Sequence, residues 1–318
     1  MNGPFLTADL KGHVAFFVAA AVLMTFTCNR GEVLERARDL PLMWDRDTAD
    51  FRVLDYSTPV LNLTIERRTD DGREYYYWGT QTLVADPSEE IEFPVGWAGR
   101  AVVPRVAALR ALRDLGPLSP DQRESYGIEG SDASLTIGFG DERRELVVGD
   151  SVFGGDDRYA MEVATGRGMV ISREVIDPLQ RGEGAVRERE LHDFARDRIA
   201  TVVVNAEGRE RTMERTGDGE WTAPGATDPD PGFANFMERV NQLGIDGFRD
   251  LPPAESLKLL LRIDYLDRDG DPLAFMEVSR DESGERPNYF IRSERTRIIA
   301  RAHRVLTDRV EQALADLF

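Results

Sequence analysis

The chain is poor in the residues that most chemistry needs: one cysteine, Cys28, three histidines, His13, His192 and His303, and two lysines, Lys11 and Lys258. A single thiol excludes an intrachain disulfide framework and a cysteine-rich zinc site, and three imidazoles leave little for a metal centre or a Ser–His–Asp array. Positive charge is also short. Asp and Glu number 58 against 40 Lys and Arg, a formal charge of -18, and a surface of that sign repels phosphate backbones, so nucleic acid is not an expected partner. Nor do Gly138, Gly140, Gly149, Gly154 and Gly155 have the spacing of a phosphate-binding loop; they read as turn residues. What is present is 41% hydrophobic and 31% charged residues over 318 positions. That composition describes a globular chain, with a prior of two domains at about 150 residues each.

Long apolar runs are scarce too, and the one that exists is short. Val14 to Thr27 reads VAFFVAAAVLMTFT, uncharged, with Lys11 before it and Cys28, Asn29 and Arg30 after it. Three readings stay open. The run has the length of a signal-sequence core, about 7 to 15 residues, and Cys28 stands where a bacterial lipoprotein would be lipidated, although Thr25, Phe26 and Thr27 depart from the usual pattern. Extended by Gly12, His13 and Cys28 it becomes an uncleaved anchor of marginal length. The third reading is a buried core helix. Either export reading puts the acidic body outside the cytoplasm, with inner membrane as the anchored location and the periplasm or cell exterior as the compartment of the body.

Beyond this segment (1–30), Glu32 to Leu40 has helical spacing and Pro41 ends it, so 31–58 reads as a stalk. Two stretches with the same order of elements follow, at 59–185 and 186–318. In the first, Val60 to Ile65 and Arg73 to Val84 form a hairpin about Asp70, Asp71 and Gly72, and Val102 to Leu115 is helical. Ser134 to Phe139, Arg144 to Val148, Arg158 to Val163 and Met169 to Ile171 then make four strands before the helix Glu174 to Gln180. In the second, Ile199 to Asn205, Arg209 to Arg215 and Glu220 to Thr222 precede the amphipathic helix Gly232 to Leu243. Strand signals at Leu257 to Leu266, Leu273 to Val278, Asn288 to Ile291 and Thr296 to Ile299 lead to a last helix, His303 to Leu317. Corresponding elements lie about 130 residues apart. The expected fold class is therefore α+β: two tandem copies of a hairpin, helix, four-stranded antiparallel meander, helix unit, after one N-terminal hydrophobic helix.

The step Ser125, Tyr126, Gly127, Ile128 before a strand, then LTIGFGDERRELVVGD with its Gly149–Asp150 turn, then RYAMEV and a closing helix, resembles the bacterial family called domain of unknown function 4340. The likeness is best from Arg100 to Thr222; the second copy has Leu251, Pro252 and Pro253 where the Tyr-Gly step would fall. Members of that family typically carry one N-terminal hydrophobic segment and often occur near genes for gliding-type ABC transport systems. The resemblance implies an extracytoplasmic accessory or binding subunit of such a transporter, partnered by a permease or auxiliary membrane subunits. It supplies no catalytic residue and no cofactor.

Other constellations have plain structural readings. Asp267, Asp269, Gly270 and Asp271 are clustered carboxylates, but Pro272 and a strand follow where a calcium loop needs further ligands, so a hairpin turn is expected. Asp228 and Asp230 beside Pro231 read as a helix cap. His192 and Asp193 are adjacent, without a nucleophile. Catalytic, cofactor and metal residues are accordingly assigned to none. The aromatic run Tyr75, Tyr76, Tyr77, Trp78 remains: alternate residues face opposite sides of a strand, so one pair must be exposed or covered by something beyond the sheet. Tyr76, Trp78 and Trp97 form the candidate partner surface, with a neighbouring domain as the covering alternative. Expected function is binding rather than chemistry. The competing readings are an independent exported binding protein for a glycan or lipid and, behind it, a carboxylate-based hydrolase.

Overall fold

The computed structural model describes residues 39–70 and 74–318. The apolar run, Cys28, most of the expected stalk helix and the turn at Asp71 and Gly72 lie outside the described residues. Among the described residues no helix is long and apolar enough to cross a membrane.

In the first half, β1 (Phe51–Ser57), β2 (Leu61–Asp70), β3 (Glu74–Leu83) and β4 (Asp86–Pro94) form a meander, and helix α1 (Trp97–Ala107) leads to β5 (Arg113–Pro117) and the short α2 (Pro120–Ser125). A second meander follows, β6 (Ser134–Phe139), β7 (Glu142–Ser151), β8 (Arg158–Glu162) and β9 (Arg167–Ile171), closed by α3 (Arg173–Gln180) and α4 (Glu183–Val186). In the second half, β10 (Thr201–Ala206), β11 (Arg209–Arg215) and β12 (Trp221–Thr222) precede α5 (Pro231–Val240) and β13 (Ile245–Gly247). Next come β14 (Lys258–Leu266), β15 (Pro272–Asp281), β16 (Asn288–Ser293), β17 (Ala300–Ala302) and α6 (Arg304–Leu317).

The strands assemble into two large antiparallel sheets, of nine strands in the order β4-β3-β2-β1-β6-β7-β8-β9-β5 and eight in the order β12-β11-β10-β14-β15-β16-β17-β13. This corrects the α+β expectation. The chain is mostly β, and hairpin and meander are not separate modules, because β1 pairs with both β2 (Leu54↔Ile65) and β6 (Leu54↔Ile137) and welds them into one sheet. In the second half β10 does the same between β11 and β14. Such pairings join residues far apart in sequence, and no local periodicity announces them. Several strands were also hidden by composition. Phe51–Ser57 falls within the expected stalk, yet it is a central strand. Asp86–Pro94 reads DPSEEIEFP, whose acids face solvent at the sheet edge while Ile91 and Phe93 are buried; charges on an edge strand discourage further pairing. The helix expected to reach Leu115 stops at Ala107, because the backbone beyond is drawn out against the entering chain: Met43 N–H donates to Leu109 O (2.8 Å) and Ala111 N–H to Pro41 O (2.9 Å). Thr296 to Ile299 is a turn, and the strand begins at Ala300.

Strand order in the second sheet follows that of the first from β3 to β5, element for element. In each half the helices cover one sheet face. Val102, Val103 and Val106 of α1 and Val175, Ile176 and Leu179 of α3 bury against the apolar alternation Leu61, Leu63, Ile65 and its neighbours. Phe233, Phe236 and Met237 of α5 and Val310, Leu314 and Leu317 of α6 do so for Val202 and Val204.

The Tyr-Gly step is explained by packing. Gly127 has φ +62, and a Cβ there would meet the Asp150 carboxyl at 2.5 Å; a Cβ on Gly149 would stand 2.2 Å from the Tyr126 carbonyl oxygen. Tyr126 in turn stacks on Tyr159 with centroids 4.2 Å apart, and Asp150 N–H donates to Tyr126 O (2.9 Å). The motif is thus a backbone-to-backbone lock between the α2 loop and the end of β7. Gly149→Ala is expected to cost about 1–3 kcal/mol of unfolding free energy through overpacking against a carbonyl that cannot retreat, measured as a lower denaturant midpoint with an unchanged slope.

Candidate binding cleft

Between the two halves lies a cleft of about 950 Å³. One wall is β3 with the end of β4 and α1, bearing Tyr75, Tyr76, Tyr77, Val95 and Arg100; the other is the β16–β17 turn, bearing Glu294, Arg295 and Arg297, and Glu188 and Asp193 of the connecting segment complete it.

Glu188 is buried and its carboxylate is fully used. One oxygen accepts from Arg295 (2.6 Å) and Arg100 (3.3 Å), and the other from the backbone N–H groups of Arg189 (3.0 Å) and Glu190 (3.1 Å). It therefore binds a helix of the first half to a turn of the second from a position on the segment joining them. Arg295 also reaches Asp193 (2.7 Å). Beside this, His192 Nδ1 lies 3.0 Å from Glu294 and its ring meets Tyr265 edge-on at 4.9 Å; burial pushes the Tyr265 phenol above its ordinary range, reinforced by the Glu294 charge. Burial likewise raises the Tyr77 phenol, reinforced by neighbouring Tyr75.

The turn itself carries backbone strain. Arg297 has φ +59, and its N–H donates to Ser293 O (3.1 Å). The matching turn of the first half has Gly166 there, φ +67, with Gly166 N–H on Glu162 O (2.8 Å), and Thr165 preceding it as Thr296 precedes Arg297. A non-glycine residue in this region costs about 1–2 kcal/mol. Arg297 has compensation: its guanidinium lies over the Tyr76 ring at 3.7 Å and pairs with Asp70, both in the first half. A cation over a ring contributes about 0.5–2 kcal/mol.

Of the sequence-proposed residues, Tyr76 lines the cleft, under Arg297. Trp78 touches Tyr76 edge-on (6.2 Å) but is 4% exposed, its indole N–H without an acceptor among the described residues and its ring beneath Arg68 at 4.9 Å. Trp97 is 78% exposed at the start of α1 and is not part of the cleft lining. Cys28 lies outside the described residues. The aromatic face is thus met by the second half at Tyr76 and by Arg68 of the first half at Trp78, while Tyr75, 53% exposed with Arg67 over it at 4.1 Å, lines the cleft. Sequence reasoning missed Arg100, Glu188, Arg295 and Arg297. The available signal was Arg297 itself, a bulky residue at a turn position filled by glycine in the other half.

The remaining acidic groups are local. Asp267 accepts from the N–H groups of Asp269 (3.0 Å) and Asp271 (2.9 Å) as a hairpin turn, and Asp230 caps α5 through Phe233 N–H (2.9 Å). Among the described residues no three His, Cys, Asp or Glu side chains converge as a metal site.

Removing the Glu188 carboxylate strands Arg100 and the nearly buried Arg295, so Glu188→Ala is expected to lower unfolding free energy by about 3–5 kcal/mol in chemical denaturation. Arg297→Gly releases backbone strain while losing the Tyr76 and Asp70 contacts; global stability should move by less than about 1 kcal/mol, whereas hydrogen exchange in Tyr75 to Trp78 should accelerate.

No curated protein and no solved structure matches the chain. One family does, over residues 100–261, about half of the chain and spanning parts of both sheets. That match agrees with the Tyr126-Gly127 and Gly149-Asp150 steps, whose packing is described above, and the chain belongs to the family described as Domain of unknown function (DUF4340).

Proposed function

We propose that this chain is a membrane-anchored, extracytoplasmic accessory subunit of an ABC-type transport system of the gliding type, acting by binding rather than by chemistry. The observation that carries the reading is how the cleft uses its charges. Glu188 is saturated by two guanidinium groups and two backbone donors, and Arg295 is shared between Glu188 and Asp193. Groups committed to one another hold a shape and leave recognition to the rims, where Tyr75 stands exposed. A hydrolase would instead need two carboxylates free to face a substrate across the cleft. The run at Val14 to Thr27, placed ahead of the folded body, supports the anchored half of the proposal, and the expectation of a transporter partner rests on the family resemblance. The competing glycan reading draws on Tyr75 with Arg67 above it, since sugar faces stack on rings flanked by donors.

Isolation of the tagged full chain from its own membranes in mild detergent is expected to bring a permease or cassette subunit with it, and Tyr75→Ser to weaken that recovery without shifting the unfolding midpoint. Recovery of the chain alone, under conditions that keep the cassette transporter intact, would overturn the proposal.

A further inference from the structure

We propose that Tyr76 and Asp70, on the first-half wall of the cleft, form a receptor for an arginine side chain of a partner protein, and that Arg297 fills it as a resident competitor while the partner is absent. The proposal rests on the binding reading above and adds what the cleft recognises.

The site shows which chemistry it takes, because a guanidinium is seated on it. The Arg297 guanidinium lies over the Tyr76 ring at 3.7 Å and pairs with the Asp70 carboxylate. A planar, delocalised cation stacks on an aromatic face and meets a carboxylate with a rigid fork of donors, which a lysine ammonium does not reproduce. Both receptor groups belong to the first half: Asp70 ends β2 and Tyr76 stands in β3. Tyr76 is also held from within that half. Trp78 meets its ring edge-on at 6.2 Å, and Trp78 is itself buried beneath Arg68. The receptor therefore keeps its shape when Arg297 leaves.

Exposure separates this contact from the buried one beside it. The side chains of Glu188 and Arg295 are 5% and 13% exposed, whereas those of Asp70 and Arg297 are 51% and 28% exposed. Ion pairs open to solvent contribute little, so the Arg297 guanidinium is exchangeable while Arg295, two residues earlier, keeps its hold on Glu188. Turning the Arg297 side chain outward thus frees the receptor without parting the halves. The turn itself has no need of an arginine, since Gly166 makes the matching one with φ +67. An arginine forced to φ +59 is kept for its side chain, and the joining of the halves is already served by Glu188.

Charge and space favour a basic polypeptide segment as the occupant. With a formal charge of -18 the body attracts cations over a distance set by the salt. Within the cleft, Glu294 stands on the opposite wall and Asp193 on the connecting segment, where its side chain is 78% exposed. An incoming arginine replaces Arg297 one for one, so the receptor carries the same balance of charge before and after the exchange. The cleft of about 950 Å³ continues past Tyr76 to the exposed Tyr75, which leaves room for the residues flanking that arginine. Under the reading proposed above, the segment belongs to the permease or an auxiliary subunit.

The test uses the purified full chain in mild detergent and a rhodamine-labelled, end-blocked pentapeptide with one arginine among glycines, followed by fluorescence anisotropy at fixed ionic strength. Apparent affinity scales with the fraction of chains whose site is open, so Arg297→Gly is expected to bind the peptide several-fold more tightly than the unmodified chain. Arg268→Gly, which removes the same charge from the exposed β14–β15 turn, should bind as the unmodified chain does. Adding Tyr76→Ser or Asp70→Asn to Arg297→Gly should abolish the gain, as should citrulline in place of the peptide's arginine. Asp70→Asn, at a half-exposed strand end, serves where Tyr76→Ser fails to fold. Equal affinity for Arg297→Gly and Arg268→Gly overturns the inference, and so does a gain that survives both receptor substitutions or the citrulline peptide. Absence of binding by every form overturns it too. Co-isolation of a permease is read separately, so the subunit reading stands or falls on its own experiment.

Discussion

A carboxylate withdrawn from water has to be met by opposite charge and by donors for its remaining lone pairs, and Glu188 satisfies that requirement only when both halves of the protein are in place. Arg100 comes from α1, Arg295 from the β16–β17 turn, and the two backbone donors from the connecting segment itself. A pair of this kind adds little net stability over an apolar replacement of equal shape, which would dispense with the desolvation cost, although removing one partner alone is costly. Its consequence here is geometric. Glu188, Arg100 and Arg295 all line the cleft between β3 and the β16–β17 turn, so the contact that joins the halves is also part of its wall.

The same strand order in both sheets means that one turn occurs twice, and the comparison isolates what the second copy does differently. Thr165-Gly166 makes an unstrained hairpin; Thr296-Arg297 makes the same hairpin with an arginine forced left-handed. Positions that keep such a cost do so when the surrounding structure gives something in return. Here the return is contact across the halves, a guanidinium over Tyr76 and an ion pair with Asp70. Glu294 adds a third link from that turn, to His192 on the connecting segment. One short turn therefore links the first half, the connection and the second half, beside Arg249 of the second half, which pairs with Glu89 and Glu183 of the first.

Much of the fold was legible strand by strand. The alternation in Leu61, Leu63 and Ile65 and in Val202, Val204 and Ala206, the hairpin about Gly140 and Asp141, and the spacing of Phe233, Phe236 and Met237 each report a local period, and each element stands in the structure. Of the strands that escaped notice, Asp86–Pro94, Arg113–Pro117 and Ile245–Gly247 are polar, very short or punctuated by Pro and Gly, whereas Phe51–Ser57 is ordinary in length and apolar content and stood where a stalk was expected. They are strands because a partner edge was available. The fold class was misjudged for the same reason: whether a hairpin and a meander are two modules or one sheet depends on the single pairing of β1 with β6. In the cleft, only Tyr76 was anticipated as a lining residue, through its unusual aromatic neighbours. Arginines and glutamates among so many charged residues have no local mark that distinguishes a buried clamp from a solvated face.

Composition and short-range pattern decide the period of each element, the positions of most turns, the acidic exterior and the apolar run ahead of the body, since each of these depends on residues within a few positions of one another. The merging of strands into sheets of nine and eight, the burial of Trp78 beneath Arg68, the strain at Arg297 and the saturation of Glu188 belong to tertiary structure alone. The sheets and the Trp78–Arg68 contact arise from strand pairing within each half, whereas the Arg297 and Glu188 contacts exist only once the two halves have met and water is excluded between them.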